Sequence, residues 1–188
     1  LEGGSIHSNG QGTLLTTEQC LLHANRNGHF SQADIEQHLC HHLGAQRVIF
    51  LSHGLQADTD TDGHIDNVAC FITPQDILLH APHEGVDHHY YLQHKKTLHA
   101  AGFNLHDMPA PPPRHYEGRA LAASYVNFYI ANDAIIMPSF ASAQHDEEAK
   151  ARMQECFPRR RMITVPALDI VVGGGGIHCI TMQCPKEE

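Results

Sequence analysis

The sequence predicts an α/β protein in which a hairpin-helix-strand unit recurs around a central axis, as in a toroidal or propeller-like array. The first observation is a glycine-centred phrase that appears at Gly4, Gly63, Gly118 and Gly176, at intervals of 55 to 59 residues. The second is that each interval repeats one order of elements, with hairpins before the helices. A doubly wound sheet is the alternative, but it predicts single strands at those places. The predicted units span residues 4–62, 63–117 and 118–175, followed by a closing strand at Cys179.

The first unit begins with an alternating, Thr-rich run at 12–20 that predicts a strand. A helix is expected to open at Ser31, with Asp34 in the capping-box position and apolar residues following at four-residue spacing. Gly44 is expected to end this helix, and the apolar run 47–51 predicts a buried strand. The hairpin of this unit is the least clearly marked of the three.

The second unit contains two apolar runs, 68–72 and 77–79, on either side of the turn 73–76, which together predict a hairpin. A helix is expected over about 88–101. The return strand is poorly marked, because the segment 108–113 holds four prolines and must be extended or looped.

The third unit repeats the pattern. Runs at 125–130 and 134–137 flank Asn132-Asp133, which predicts another hairpin. The segment 145–157 is expected to be helical, because acidic residues occur early and a basic residue late. The run 162–165 then predicts the return strand.

Composition limits the classes of function. With 188 residues, 41% hydrophobic and 18% charged, the chain fits one globular domain over 1–188. A net charge of −9 disfavours nucleic acid as a partner, and the sequence lacks both an apolar run of about 18 residues and a basic-then-apolar leader. Six cysteines without paired spacing predict reduced thiols and a cytoplasmic location. The chain begins with Leu1, which fits a processed or truncated chain.

The 18 histidines raise the question of a metal site. His38, His41 and His42 fall on one helical side, but no HExxH or comparable signature accompanies them. The acidic run 58–66 loosely resembles a calcium loop, yet it lacks the glutamate expected at the twelfth position. We therefore expect no metal.

The glycine run 173–176 suggests a close approach of backbone to a ligand, and Cys179 follows it at the expected start of a strand, 180–182. A buried structural cysteine is the alternative. His64 and Asp66 are two residues apart, which on a strand places both side chains on one face. If equivalent loops converge on the axis, these three side chains meet Glu2 there. A thiol, an imidazole and carboxylates are the parts of a nucleophilic acyl-transfer-like site.

Several phrases resemble the agmatine deiminases of the bacterial-type peptidyl-arginine deiminase family, in the guanidino-group-modifying superfamily. The resemblance extends over essentially the whole chain. The phrases are EGGSIH at 2–7, LHANRN at 22–27, TDGHIDN at 61–67, LAASYVN at 121–127, GGGGIHCIT at 173–181 and QCP at 183–185.

The resemblance implies a pseudosymmetric, pentein-like α/β propeller of five blades, of which this chain supplies about three. Family members carry about two further blades before the Glu-Gly-Gly phrase. One of those blades supplies an aspartate that grips the guanidinium, and no matching motif is present in this sequence.

The resemblance also implies a reaction: hydrolysis of agmatine to N-carbamoylputrescine and ammonia, without cofactor or metal. Cys179 would attack the guanidinium carbon, and His64 would act as acid and then base. Glu2 would pair with His64 and keep it cationic. Asp66 would bind the guanidinium, and the loop containing Gly176 would favour the thiolate through backbone N–H groups.

Asp60 is expected to lie near the amine end of agmatine, with a solvated acidic loop as the equally weighted alternative. Deimination of peptidyl-arginine or free arginine is the alternative enzymatic function. A non-catalytic fragment or relic of the same fold is the alternative that is not an enzyme. The expected partners are the small cationic guanidine substrate and either further copies of the chain or a complementing N-terminal half, because open blade edges invite pairing. We expect no membrane contact.

Overall fold

The computed structural model describes residues 1–184 as a mixed α/β structure with short sheets. The strands are β1 (Ile6–Ser8), β2 (Thr13–Thr17), β3 (Arg47–Leu51), β4 (Ala69–Phe71), β5 (Asp76–Ala81), β6 (Asn104–Pro109), β7 (His115–Tyr116), β8 (Arg119–Ala120), β9 (Tyr129–Ile130), β10 (Ala134–Ser139) and β11 (Arg161–Pro166). The α-helices are α1 (Glu18–Leu21), α2 (Ala24–Asn27), α3 (Gln32–Leu43), α4 (Gly85–Ala100), α5 (Ala143–Cys156) and α6 (Leu168–Val172). Short 3₁₀-helices span Gly3–Ser5, Ile65–Asn67 and His178–Ile180.

Three sheets share one topology. In each, the middle strand pairs antiparallel with the strand before it and parallel with the strand after it: β1-β2-β3, β4-β5-β6 and β9-β10-β11. A parallel pair needs a crossover, and α3, α4 and α5 supply it within the three sheets. The predicted order of hairpin, helix and strand is confirmed in all three.

The helix signals of the first unit are confirmed. Ser31 and Asp34 form the predicted capping box, and Gly44 ends α3 with a φ of 67°. The strand expected over 12–20 is shorter, however. It stops at Thr17, because the Thr17 hydroxyl accepts a hydrogen bond from the Cys20 backbone and so caps α1.

The poorly marked return strand of the second unit is β6, which begins before the prolines and pairs with β5 in parallel. Two predictions about the third unit are wrong. The first strand of the third hairpin covers only β9, not 125–130. The phrase at Gly118 forms the turn between β7 and β8, whereas the other three phrases adjoin 3₁₀-helices, so Gly118 is not an equivalent marker.

The core joins neighbouring sheets. Ile77 and Leu78 are adjacent in β5 and therefore point to opposite faces. Ile77 packs in a cluster with Leu51 of the first sheet, and Leu78 packs in another with Ile135 of the third. Each such fully buried side chain contributes roughly 1.5–3 kcal/mol. This packing fixes the connecting segments of the three units against one another.

The segments that carry the predicted site residues are 3₁₀-helical, not extended. Gly3–Ser5 contacts both Ile65–Asn67 and His178–Ile180. His64 and Asp66 are therefore not side by side on a strand. The strand predicted at 180–182 is also wrong: Ile180 ends a 3₁₀-helix and is exposed. Pro185, part of a phrase noted above, lies outside the described residues. Within residues 1–184, no helix is both long and apolar enough to cross a membrane.

Candidate active site

The acidic loop (residues 58–67) is built on a buried carboxylate. Asp58 is only 3% exposed. Its Oδ2 accepts hydrogen bonds from the Thr61 hydroxyl at 2.6 Å, the His64 backbone N–H at 3.2 Å and Asn67 Nδ2 at 3.3 Å. Its Oδ1 accepts from the Thr61 backbone N–H at 3.1 Å. Asp58 is thus a scaffold for the loop that presents His64 and Asp66, and it is not part of a solvated acidic surface.

The first glycine phrase packs directly onto this loop. A Cβ added to Gly4 would lie 2.5 Å from Asp66 Oδ2 and 2.6 Å from His64 Nδ1. Both distances are shorter than any real Cβ contact, so position 4 needs glycine for close approach. The Ser5 hydroxyl donates to the Glu2 carbonyl at 2.7 Å and tightens the same turn.

Glu2 forms an ion pair with Arg26, a residue that the sequence did not single out. Arg26 hydrogen-bonds the Glu2 carboxylate and also donates from Nε to Asp62 Oδ2 at 3.2 Å. The hydrogen bond from Arg26 lowers the pKa of Glu2. Glu2 Oε2 lies 3.8 Å from His64 Nε2, within ion-pair range, as the predicted pairing requires.

The Cys179 thiol lies against Asp66. Its Sγ donates to Asp66 Oδ2 at 3.2 Å, and the same oxygen lies 3.0 Å from His178 Nδ1. Desolvation, and next the charge of Asp66, raises the pKa of Cys179 to about 11, while the Gly176 backbone and the Asn127 side chain act in the opposite direction. The isolated site therefore holds a neutral thiol at neutral pH.

Two buried polar atoms of this cluster have no hydrogen-bond partner: His64 Nε2 and Asp66 Oδ1. A buried polar group without a partner costs roughly 1–3 kcal/mol, so such groups are uncommon and often mark function. One is an imidazole nitrogen and the other belongs to the carboxylate that holds the thiol. Asp66 Oδ1 is free to accept a hydrogen bond from an N–H donor of a ligand.

Comparison with known proteins gives the family of this chain. Residues 1–185 match the model of the Porphyromonas-type peptidyl-arginine deiminase family. The chain belongs to this family. Agmatine deiminase from Ectopseudomonas mendocina (strain ymp) is 42% identical over 214 residues, which cover 100% of this chain and 58% of that protein.

Solved structures of family members have the same fold as this chain. A Cys-to-Ser variant of agmatine deiminase from C. jejuni, with substrate bound, is 36% identical with a TM-score of 0.89, over 95% of this chain and 54% of that one. Agmatine deiminase from Enterococcus faecalis is 34% identical with a TM-score of 0.89, over 98% and 57% of the two chains. The chain thus spans a little over half the length of the relatives it matches.

In this chain, the two other predicted binding residues are Asp60 and Gly176. Asp60 is exposed, and its Oδ2 accepts from Arg119 Nη1 at 2.7 Å. A Cβ on Gly174 would lie 3.0 Å from the Asp60 side chain, and Asp60 lines a small cavity of about 10 Å³ together with Gly174 and Gly175 of the glycine loop (residues 173–181). Gly176 is buried, and a Cβ there would lie 2.2 Å from Asn127 Oδ1.

The structure thus brings together Glu2, His64, Asp66 and Cys179. Sequence reasoning missed the contacts of Arg26, Asn127 and His178 with these groups. All three occur in phrases shared with the family, but a phrase does not show which of its side chains point toward the site.

The histidines form no metal centre in the part of the chain that the structure describes, where no group of three or more His, Cys, Asp or Glu side chains is arranged to hold an ion. His38, His41 and His42 lie on α3. Ring centroids are 5.9 Å apart for His38 and His42 and 4.8 Å apart for His41 and His42.

Proposed function

We propose that this chain carries the nucleophile, the acid-base group and one binding carboxylate of an agmatine deiminase. The observation that carries the proposal is the cluster of His64, Asp66 and the Cys179 thiol, in which Asp66 Oδ1 is buried without a hydrogen-bond partner. A guanidinium offers five N–H donors in a plane and suits a carboxylate that has a free oxygen. Relatives at 40% and 42% identity are agmatine deiminases, which supports agmatine as the substrate.

The first step is formation of a covalent intermediate. The guanidinium binds to Asp66 and neutralises the charge that, after desolvation, raises the pKa of Cys179, so substrate binding favours release of the thiol proton to bulk water. The thiolate attacks the guanidinium carbon, and a C–N bond breaks as cationic His64 protonates the departing amine. Ammonia leaves, and an S-alkylthiouronium remains on Cys179.

The second step is hydrolysis. His64, now neutral, takes a proton from water as the water oxygen attacks the thiouronium carbon. The C–S bond breaks, Cys179 leaves as the thiolate, the remaining hydroxyl proton passes to bulk water as the carbonyl forms, and the product is N-carbamoylputrescine. Glu2 favours the cationic form of His64 for the next turnover. The residues of the site perform these steps without a metal or cofactor.

The three sheets are proposed to be three of five blades of a pseudosymmetric propeller, with the unit boundaries given above. A second carboxylate would then come from the part of the relatives that this chain does not match. It would be supplied by a complementing N-terminal half or by assembly with further chains. Asp60 is proposed to meet the substrate amine, which requires Arg119 to release it.

The decisive assay measures ammonia and N-carbamoylputrescine formed from agmatine. The chain is tested alone and mixed with the unmatched N-terminal part of the Ectopseudomonas mendocina enzyme. We expect turnover on complementation. Cys179→Ala should reduce it more than about a thousandfold, whereas Cys184→Ala, at a second exposed thiol, should leave it unchanged. Full turnover by Cys179→Ala would contradict the covalent mechanism.

Deimination of arginine is the second candidate, favoured by the peptidyl-arginine deiminase family that the chain matches. The same complemented mixture is assayed with free arginine and with an arginine-containing peptide at equal concentration. A higher kcat/KM for either compound than for agmatine would transfer the proposal to that substrate. Folded protein with no turnover of any of the three would favour the non-catalytic reading.

A further inference from the structure

The side chain of Asn127 lies at the centre of the contacts that hold Cys179. Asn127 is 2% exposed and immediately precedes the third hairpin. Its Oδ1 accepts the backbone N–H of His178 at 2.8 Å. Because a backbone N–H only donates, this bond fixes the orientation of the amide, and the NH₂ group is directed the other way.

The NH₂ group of Asn127 faces the sulfur. Asn127 Nδ2 lies 3.4 Å from Cys179 Sγ, and Oδ1 lies 3.8 Å from it. The same Nδ2 donates to Asn67 Oδ1 at 3.1 Å, and Asn67 Nδ2 donates in turn to Asp58. Buried hydrogen bonds therefore run from the scaffold of the acidic loop to the thiol.

Steric contact keeps the amide in place. The Gly176 backbone approaches Asn127 so closely that an added Cβ would lie 2.2 Å from Oδ1 and 2.5 Å from Cγ. A close-packed amide with two fixed bonds has little freedom to rotate away from the sulfur. The glycine at 176 permits this contact.

We propose that Asn127 positions the Cys179 thiol and stabilises its ionised form, as a further residue of the reaction. The inference rests on the proposed role of Cys179 as nucleophile. A hydrogen bond to a charged group is stronger than one to its neutral form, so an N–H donor that faces sulfur favours the thiolate. Burial and Asp66 oppose ionisation, and Asn127 offsets part of their effect.

The test is the pH dependence of thiol alkylation, which needs no turnover. The chain is treated with iodoacetamide from about pH 7 to about pH 11, and modification at each cysteine is quantified by peptide mass spectrometry. Cys179 and Cys184 lie in the same tryptic peptide, after Arg161, so Cys184 is an internal reference for reagent and digestion.

The informative variant is Asn127→Asp. It keeps an oxygen for the His178 N–H but replaces the donor that faces sulfur. Because the pKa of Cys179, about 11, lies at the upper edge of this pH range, the readout is the alkylation rate at a fixed pH below it, which we expect to fall about tenfold. Ser124→Ala is the matched control, because Ser124 is equally buried and bonds His80 and the Val126 backbone without contacting sulfur. An unchanged Cys179 alkylation rate in folded Asn127→Asp would overturn the proposal.

If Asn127→Asp does not fold, the unaltered chain decides the question. The side-chain NH₂ resonances of Asn127 should titrate with the alkylation midpoint of Cys179, and Cys179→Ser should abolish that titration. Resonances that ignore the thiol would reject the proposal. Failure of the Asn127 proposal can be distinguished from failure of the proposed function. If only the role of Asn127 is wrong, turnover by the complemented enzyme still depends on Cys179. If the proposed function is wrong, Cys179→Ala retains turnover.

Discussion

The acidic loop and the glycine loop meet at Asp66, but they are held in different ways. The acidic loop carries its own scaffold, because Asp58 accepts four hydrogen bonds from residues within that loop. The glycine loop has few internal bonds around Cys179, chiefly from Thr181 to the His178 carbonyl. Its position depends on Asn127 and Asp66, which belong to other segments.

The difference suggests that the acidic loop provides rigidity and the glycine loop provides room for close approach. A carboxylate that must hold a planar guanidinium benefits from a rigid local scaffold. A thiol that forms and breaks a bond to carbon benefits from a backbone that permits close approach, which glycine supplies. Changes in the acidic loop should therefore cost mainly folding stability, and changes in the glycine loop should alter mainly thiol reactivity.

The largest effect on stability is expected for Asp58→Ala. It leaves the buried donors of Thr61, His64 and Asn67 without an acceptor, and we expect the free energy of unfolding to fall by roughly 3–4 kcal/mol. Chemical denaturation at neutral pH measures it. Asp60→Ala is the matched control, because Asp60 is exposed and bonded only to Arg119, and it should cost less than about 1 kcal/mol. If Asp58→Ala and Asp60→Ala lowered the free energy of unfolding equally, Asp58 would not be a scaffold of the acidic loop.

The second effect is acid destabilisation from buried histidine. Burial lowers the pKa of His80 to about 4 from its usual 6.5. Between these values the unfolded chain binds a proton that the folded chain does not, so stability falls as pH drops from 6.5 to about 4. The full loss is about 3 kcal/mol.

Denaturation midpoints across this pH range test the assignment. His80→Gln should reduce the slope by roughly a third, because burial also lowers the pKa of His7 and His94 to about 4, although it also weakens the contact with Ser124 at neutral pH. His38→Gln, at an exposed position of α3, should keep the slope of the unaltered chain. A slope unaffected by His80→Gln would assign the acid sensitivity to other groups.

The third prediction tests the glycine loop, where a substitution should change thiol reactivity more than folding stability. Gly176→Ala should lower stability by only about 1–2 kcal/mol, because the loop shifts to relieve the contact with Asn127. The shift should nevertheless move the alkylation profile of Cys179, since it separates the amide from sulfur. Gly3→Ala is the control, as a Cβ there meets no atom within 4 Å. A large stability loss with an unchanged profile would contradict the proposed difference between the loops.

Sequence predicted the regular elements better than the site geometry, for a physical reason. Capping at Ser31 and the αL end at Gly44 are local signals, and they place α3 correctly. The extent of β6 depends on pairing with β5 across a helix, which prolines in the sequence obscure. The contact between Asn127 and Cys179 joins segments 52 residues apart, and no local pattern encodes it.

The phrases that resemble the family supplied the proposed reacting groups, because reaction chemistry restricts which residue types are possible. They did not show which other side chains hold those groups in place. Arg26, for example, stands within a shared phrase, but its bond to Glu2 depends on how α2 packs against the first residues. Support of this kind is a tertiary property.

The smallest effect is expected far from both loops. Ser31→Ala removes one half of the capping box of α3 and should cost about 1 kcal/mol. Gln37→Ala, at an exposed position within the same helix, should change stability by less than about 0.5 kcal/mol. Neither change touches the site, so both variants should retain the alkylation profile of Cys179. If Ser31→Ala altered that profile, α3 would be coupled to the glycine loop, and the independence of loop and scaffold would no longer hold.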